Sequence, residues 1–275
     1  MISDEEKIIK YIMLSQMKGL GPMTQNILLD AFGGIEGCFS EDHVEQRLSD
    51  MNIRIAYKRL NTFIEQRNDE TLRGQAEKIY TFSKSKGLEI IVREDARFPD
   101  RFRGIVDLPA LLYCKGNLRI NDFTDSIGIV GARRCSREGK EKAIEVAESV
   151  VNNNAAIVSG MAKGIDSYAH TAATKSGGYT VAVLGCGPDI CYPKEHERLY
   201  GIISDKGCIL SEYPPGTPPA AYRFPKRNRL IAALSDRLYV IDAGRHSGTA
   251  STIESGEKYG REVVVMDVRK AFHLQ

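Results

Sequence analysis

Between residues 127 and 266 the sequence carries six short apolar runs, separated by five stretches of helical periodicity. The runs are "IGIV" (127–130), "AAIVS" (155–159), "TVAVL" (180–184), "CILS" (208–211), "RLYVI" (237–241) and "EVVVM" (262–266). They are continuously apolar rather than alternating, so each needs cover on both faces of its sheet. Parallel strands also need long crossovers. The helical stretches near 137–152, 165–175, 194–205, 227–234 and 250–259 supply them. In the first, Ala143, Val146, Ala147, Val150 and Val151 form one apolar stripe. The pattern predicts an α/β fold: a Rossmann-like, doubly wound, mostly parallel sheet.

The preceding chain reads differently. Residues 1–86 are helical in pattern, with Ile8, Ile9, Ile12 and Met13 at helical spacing and further helices in "TQNILLDAF" and "DETLRGQAEKIYTFSKSKG". Between the first two lies "MKGLGPMT", where Gly19 and Gly21 permit positive φ and Pro22 can open a helix. "LEIIV" and "ALLYC" are short strands that begin the second part. We therefore expect a small all-α domain over 1–86 and a Rossmann-like domain over 87–275.

The formal net charge is only +2, which excludes a uniformly basic coat. Any anion binding must come from local clustering. No apolar run approaches the roughly 18 residues of a membrane span. The opening "MISDEEKIIK" is acidic and has no secretory core, so the expectation is a cytoplasmic protein without membrane contact. Six cysteines are present without a C-x-x-C pair or histidines at finger spacing, so neither a structural disulfide nor a zinc site is expected. Cys114 and Cys208 lie in or beside strands and read as small apolar fillers.

Ligands of an open α/β sheet bind outside the carboxyl ends of its strands. After the first run comes "GARRCSREGK", with Arg133, Arg134, Ser136, Arg137 and Lys140. After the second comes "SGMAKGID", with Ser159, Gly160, Lys163 and Gly164. "GCGPDICYPKE" follows the third, and "SEYPPG" and "FPKRNRLIAALSD" follow the fourth. "AGRHSGT", with Arg245, His246, Ser247, Gly248 and Thr249, follows the fifth. No acid occurs between Glu212 and Asp236, a span that includes Arg223, Lys226, Arg227 and Arg229. These loops carry cations, and the topology brings all of them to one edge.

Such an edge suits phosphates: glycines let backbone N–H groups approach, helix N-termini add partial charge, and arginine offers a planar fork. Phe224 and Tyr222 are apolar faces on which a base can stack. Aromatic rings interleaved with cations fit a single strand of nucleic acid better than a small dinucleotide. Taken singly, each residue also has a plain reading. Arg133 and Arg134 can solvate a loop, Phe224 can anchor its loop in the core, and the stretch Ser247-Gly248-Thr249 can cap a helix. Convergence of these residues on one edge carries the inference.

Enzyme signatures are missing. The dinucleotide fingerprint is replaced by "GIVGARRCS", and the second strand ends in Ser159 rather than an acid. Neither a Walker A loop nor a G-x-S-x-G elbow occurs. His170, His196 and His246 have no obvious nucleophile next to them, and Asp166 reads equally as a helix-start residue. A phosphoribohydrolase-like nucleotide hydrolase is the alternative of another class, but in "SGTASTIE" Glu254 falls out of register with its G-G-x-G-T-x-x-E loop. A module whose basic edge binds an acidic protein is a third reading.

The ordered stretches "GARRCSREG", "SGMAKGIDSYAH", "GGYTVAVLGCGPDICYP", "SEYPPGTPP", "FPKRNRLIAALS" and "SGTASTIESGEKYGREV" resemble the DNA-processing protein A family, also called Smf or DprA. The likeness covers roughly residues 105–265, and F-P-x-R-N-R-x-I is its strongest piece. The resemblance implies an extended Rossmann fold and a non-enzymatic protein needing no cofactor or metal. It implies binding of single-stranded DNA without strong sequence preference, loading of the RecA recombinase, protection of incoming DNA in natural transformation, and a homodimer. It places phosphate contacts at Arg133, Ser159 and Gly160, with Phe224, Lys226, Arg227 and Asn228 lining the same pocket and Ser247 and Gly248 nearby. Ser136 and Lys163 join this DNA-binding set from the loops they occupy. "GLGPMTQNILLDAFGG" resembles the family's sterile-alpha-motif-like domain and also a helix-hairpin-helix. Family members usually continue past the last strand with "VPG" and often a winged-helix-like module; here "VVVMDVRKAFHLQ" follows, and that module is expected to be absent. Ala250 and Ile253 depart from the usual Leu and Ala of the S-G-T/S-L-x-T-A loop.

Overall fold

The computed structural model describes residues 4–242 and 248–266. Two compact units emerge: Met1–Asp95 with Gly104–Leu112, and Ala96–Arg103 with Tyr113–Gln275.

The first unit carries helices α1 (Asp4–Gln16), α2 (Pro22–Ala31), α3 (Ile35–Ser40), α4 (Val44–Asp50), α5 (Tyr57–Gln66) and α6 (Glu70–Ser85). Ile9, Ile12 and Met13 of α1 are buried, as their spacing demands. Between α1 and α2 the chain turns at Gly19, whose φ of 88° disfavours any side chain. Gln25 fixes this turn by donating from Nε2 to the carbonyls of Leu14 (3.1 Å) and Leu20 (2.9 Å). Gly21 is not left-handed but serves as the N-cap of α2, with φ −81°. Asp69 caps α6 by accepting from the N–H groups of Thr71 (2.7 Å) and Leu72 (3.2 Å). Helices α3 to α5 were not anticipated. Two of them are six and seven residues long, too short for periodicity to register. Strand β1 (Glu89–Val92) closes this unit beside the opening residues of β2 (Leu111–Gly116).

The second unit holds the rest of β2, then β3 (Ser126–Gly131), α7 (Arg137–Asn152), β4 (Ala156–Ser159), α8 (Ile165–Lys175), β5 (Thr180–Val183) and α9 (Glu197–Lys206). It continues through β6 (Cys208–Ser211), α10 (Arg223–Leu234), β7 (Arg237–Ile241), α11 (Ala250–Lys258) and β8 (Glu262–Met266). Its strand order is β2-β6-β5-β4-β3-β7-β8. Strands β3 to β8 pair in parallel, while β2 runs antiparallel to β6 with Tyr113 opposite Ser211. The mostly parallel, Rossmann-like sheet is as expected. Winding proceeds outward from β3 through β4, β5 and β6, then reverses to β7 and β8. That reversal makes the crevice beside β3 the natural ligand site.

The apolar stripe of α7 packs as its spacing requires. Ala143, Val146, Ala147 and Val150 are buried with Ile157 of β4 and Ala169 of α8, and Val151 lies against them half-buried. One boundary differs materially. α10 starts at Arg223, not near residue 227, so "FPKR" is the first turn of a helix rather than the end of a loop. Among the described residues no helix is long and apolar enough to cross a membrane.

A titratable group lies deep in this core. His170 of α8 is fully buried, and its Nδ1 shares a 2.7 Å hydrogen bond with Thr180 Oγ1. Burial, with the positive fields of His196 and Arg227, pulls its pKa from 6.5 to about 3. A depressed folded pKa means that the unfolded chain binds the proton first. His170 therefore contributes stability above pH 6.5 that is lost as pH falls toward 3, at up to about 1.4 kcal/mol per pH unit. Urea midpoints from pH 7 to 4 should fall less steeply in His170→Gln; parallel curves would contradict this.

Candidate functional site

The first turn of α10 is built against its own electrostatics. It contains Arg223 and Lys226 and no acid, although the positive end of a helix dipole favours anions. Its N-cap, Tyr222, makes no side-chain capping hydrogen bond. Tertiary contacts must hold this turn, and its uncompensated charge is available to an anion.

Those contacts lie at the carboxyl edge of the sheet, around a cleft of about 650 Å³. Arg133 from the loop after β3, Tyr192 from the loop after β5, Phe224, Arg227 and Asn228 from α10 and Gly248 before α11 line it. Phe224 stacks on Tyr192 with ring centroids 5.5 Å apart and planes at 23°. The exposed Arg133 guanidinium sits 5.7 Å from the Phe224 centroid. One wall thus presents an aromatic face and an exposed charge together.

Beneath this wall lies a rigid floor. Arg227 is 4% exposed, and its Nη1 donates to the carbonyls of Gly160 and Val183. Its Nε donates to Asn228 Oδ1 at 3.1 Å. Across the Gly160 backbone, Asp166 Oδ2 accepts from the N–H groups of Gly160 (3.2 Å) and Ala162 (3.3 Å). Burial raises the Asp166 pKa, while Arg227 and these two N–H groups oppose the rise. Gly160 is required here because a Cβ would lie 2.6 Å from Arg227 Cζ. Asn228 completes the floor, donating from Nδ2 to the Gly248 carbonyl (3.0 Å) and Ser251 Oγ (2.9 Å). It ties α10 to the start of α11.

The residues singled out in the sequence therefore separate into groups. Arg133, Phe224, Arg227, Asn228 and Gly248 meet at the cleft. Gly160 acts by leaving room for Arg227. Ser159 is fully buried and donates to the Ile129 carbonyl at 2.6 Å, joining β4 to β3. Ser136 is the N-cap of α7 and accepts from the Gly139 N–H at 3.0 Å. Both hydroxyls are thus engaged within the fold. Lys163 is exposed and paired with Glu195. Lys226 is exposed, its Nζ 5.6 Å from the Tyr222 ring. Ser247, with Arg245 and His246, lies outside the described residues.

Tyr192 and Thr252 also line the cleft but were not singled out for it, as does Thr249, which reads in the sequence as a loop and cap residue. Tyr192 carried one weak signal, an aromatic in a loop at a strand's carboxyl end. Nothing local reveals that it stacks on a residue 32 positions later. Asp166 is the single carboxylate among the described lining residues, and Glu254 is exposed on α11 and outside that lining. A paired acid and base for hydrolysis is therefore not assembled among these groups. The arrangement favours holding an anion with a planar, apolar appendage.

Comparison with known proteins bears on this. The pattern of the family described as DNA recombination-mediator protein A matches residues 89–273. A DNA processing protein DprA of Streptococcus pneumoniae is 43% identical over 169 residues, 62% of this chain and 59% of the relative. A protein Smf of Synechocystis is 32% identical over 252 residues, 90% of this chain and 62% of the relative. The chain thus spans about three fifths of the length of these curated relatives. The X-ray structure of Streptococcus pneumoniae DNA processing protein A superposes with a TM-score of 0.75 at 31% identity, covering 96% of this chain and 86% of that one. A Helicobacter pylori DNA processing protein A, described for its single-stranded DNA binding mode, gives 0.59 at 32% identity, covering 66% and 81%.

Proposed function

The chain belongs to the DNA recombination-mediator protein A family, and from that premise we propose that it binds single-stranded DNA in the cleft at the carboxyl edge of its sheet. The observation that carries this is the Arg133–Phe224–Tyr192 wall, where a guanidinium and stacked rings lie over a buried polar floor. Duplex DNA hides its base faces, whereas an unpaired strand offers base and phosphate together. Arg133 and Lys226 hold phosphates, Phe224 takes a base, and Gly160, Arg227 and Asn228 shape the pocket. Lys163 and Gly248 extend the cationic and backbone rim, Ser247 belongs to the same DNA-binding set, and Ser136 and Ser159 act through the loops they brace. The protein forms no covalent intermediate and needs no cofactor.

The finer role follows from the family. The bound strand is handed to the RecA recombinase by a cytoplasmic homodimer that protects incoming DNA. The N-terminal helical domain over 1–86 is a separate element of that assembly. The test is a recombinase-loading assay on single strands coated with single-strand-binding protein. Adding this protein should shorten the lag of RecA filament growth. An unchanged lag, with the DNA demonstrably bound, would remove the mediator role and leave strand binding intact.

A further inference from the structure

A second aromatic and cationic cluster adjoins the cleft without lining it. The Arg223 guanidinium lies 5.2 Å from the Tyr213 ring centroid and 5.3 Å from that of Tyr222. Lys226 Nζ stands 5.6 Å from the Tyr222 ring. Arg223 is further fixed by donation from Nη1 to the Pro218 carbonyl, in the segment whose Pro219 and Ala220 line the cleft.

Three properties of this cluster are unexplained by folding. Tyr222 is 60% exposed, although an aromatic ring gains most from burial. Neither Arg223 nor Lys226 makes an ion pair among the described residues. Of the two acids that flank the cluster in sequence, Glu212 is paired with Arg229 and Asp236 with Arg101. The result is an exposed ring beside two cations that make no ion pair among the described residues, one of them held rigidly.

We propose that Tyr222, Arg223 and Lys226, backed by Tyr213, form a second nucleotide subsite. One base of a single-stranded polynucleotide stacks on Tyr222, and the flanking phosphates meet Arg223 and Lys226. The inference rests on the strand-binding reading above and adds the direction in which the strand leaves the cleft. Tyr222 and Phe224 are two residues apart, so their Cα atoms lie within about 7 Å. With a rise of about 3.4 Å per stacked nucleotide, one or two steps bridge them. Arg223 keeps the spacing constant because its two rings and the Pro218 carbonyl leave it little freedom. Ordering entropy, the usual cost of binding through arginine, is thereby already met.

The sequence contains no tryptophan, so Tyr222→Trp introduces a single indole at this ring. Stacking of a thymine base should quench its emission when oligo-dT is added, and polyglutamate should not. In parallel, Tyr222→Ala should weaken oligo-dT binding about tenfold, and Tyr222→Phe should leave it near that of the parent chain. An exposed position makes these changes harmless to folding, and circular dichroism checks that. If the parent chain binds oligo-dT, but the indole is not quenched and Tyr222→Ala binds equally well, the subsite is wrong while the cleft stands. Quenching by polyglutamate would mark the patch as a surface for an acidic protein and overturn the proposal. If the parent chain fails to bind oligo-dT, the strand-binding reading itself falls.

Discussion

Arg227→Met is expected to cost about 3–5 kcal/mol of stability, measured as a lowered urea midpoint, and to abolish strand binding with it. Arg227 and Asp166 are 4% and 5% exposed and lie on opposite sides of the Gly160 peptide. Removing the guanidinium leaves a buried carboxylate without its counter-charge. It also leaves the Gly160 and Val183 carbonyls without their donor, each at about 1–3 kcal/mol. Arg227→Lys should recover little, because an ammonium cannot serve both carbonyls and Asn228 with a planar fork. Lost binding in such variants reports collapse of the floor, not a lost phosphate contact. A variant that folds with an unchanged midpoint would show that Arg227 is held by the ligand rather than by the fold.

Phe224→Ala should leave the fold intact and weaken oligo-dT binding by about 5- to 160-fold. Base–aromatic stacking is worth about 1–3 kcal/mol per base. The ring is half-buried, stacked on Tyr192 and approached by the Arg133 guanidinium, so its loss also frees both partners. Phe224→Leu separates the contributions: bulk persists while the π face is gone. We expect Phe224→Leu to behave nearer to Ala than to Phe, and Tyr192→Phe to stay near the parent chain. Titrations followed by fluorescence anisotropy give these affinities. Equal affinity in Phe224→Ala and the parent chain would move the base elsewhere.

Much of the sheet was legible because its inner strands are buried on both faces, whereas the edge strand β8, which has no buried residue, was legible from its apolar run alone. The runs read from the sequence at 208–211, 237–241 and 262–266 coincide with β6, β7 and β8. The start of α10 was not legible. "FPKR" offers a proline, no capping side chain and charges of the wrong sign for a helix start, so local rules place it in a loop. It is helical because Arg227 and Asn228 bind the sheet edge and α11, contacts no local pattern encodes. The β2 segment reads as a strand in the sequence, but its antiparallel direction was not legible, because an apolar run shows burial and not direction.

The site was legible as a place but not as a division of labour. The topology correctly gathers Arg133, Phe224 and Gly248, because carboxyl-end loops of adjacent parallel strands share an edge. Residue type alone did not separate an exposed arginine that can reach a phosphate from a buried one that supports the floor. Nor did it show that the Ser159 and Ser136 hydroxyls are spent on a neighbouring strand and a helix cap. Burial and partner choice decide those roles, and both depend on residues distant in the chain.

The central claim is that exposed cations and rings at this edge grip an unpaired strand. Its most direct measurement is the salt dependence of oligo-dT binding beside that of a duplex of equal length, for the parent chain and Arg133→Ala. Tighter binding of the single strand is predicted, together with a log–log salt slope that falls by about 0.7 when Arg133 is removed, one phosphate's share. Equal affinity for duplex and single strand, or an Arg133→Ala slope identical to that of the parent chain, would contradict it.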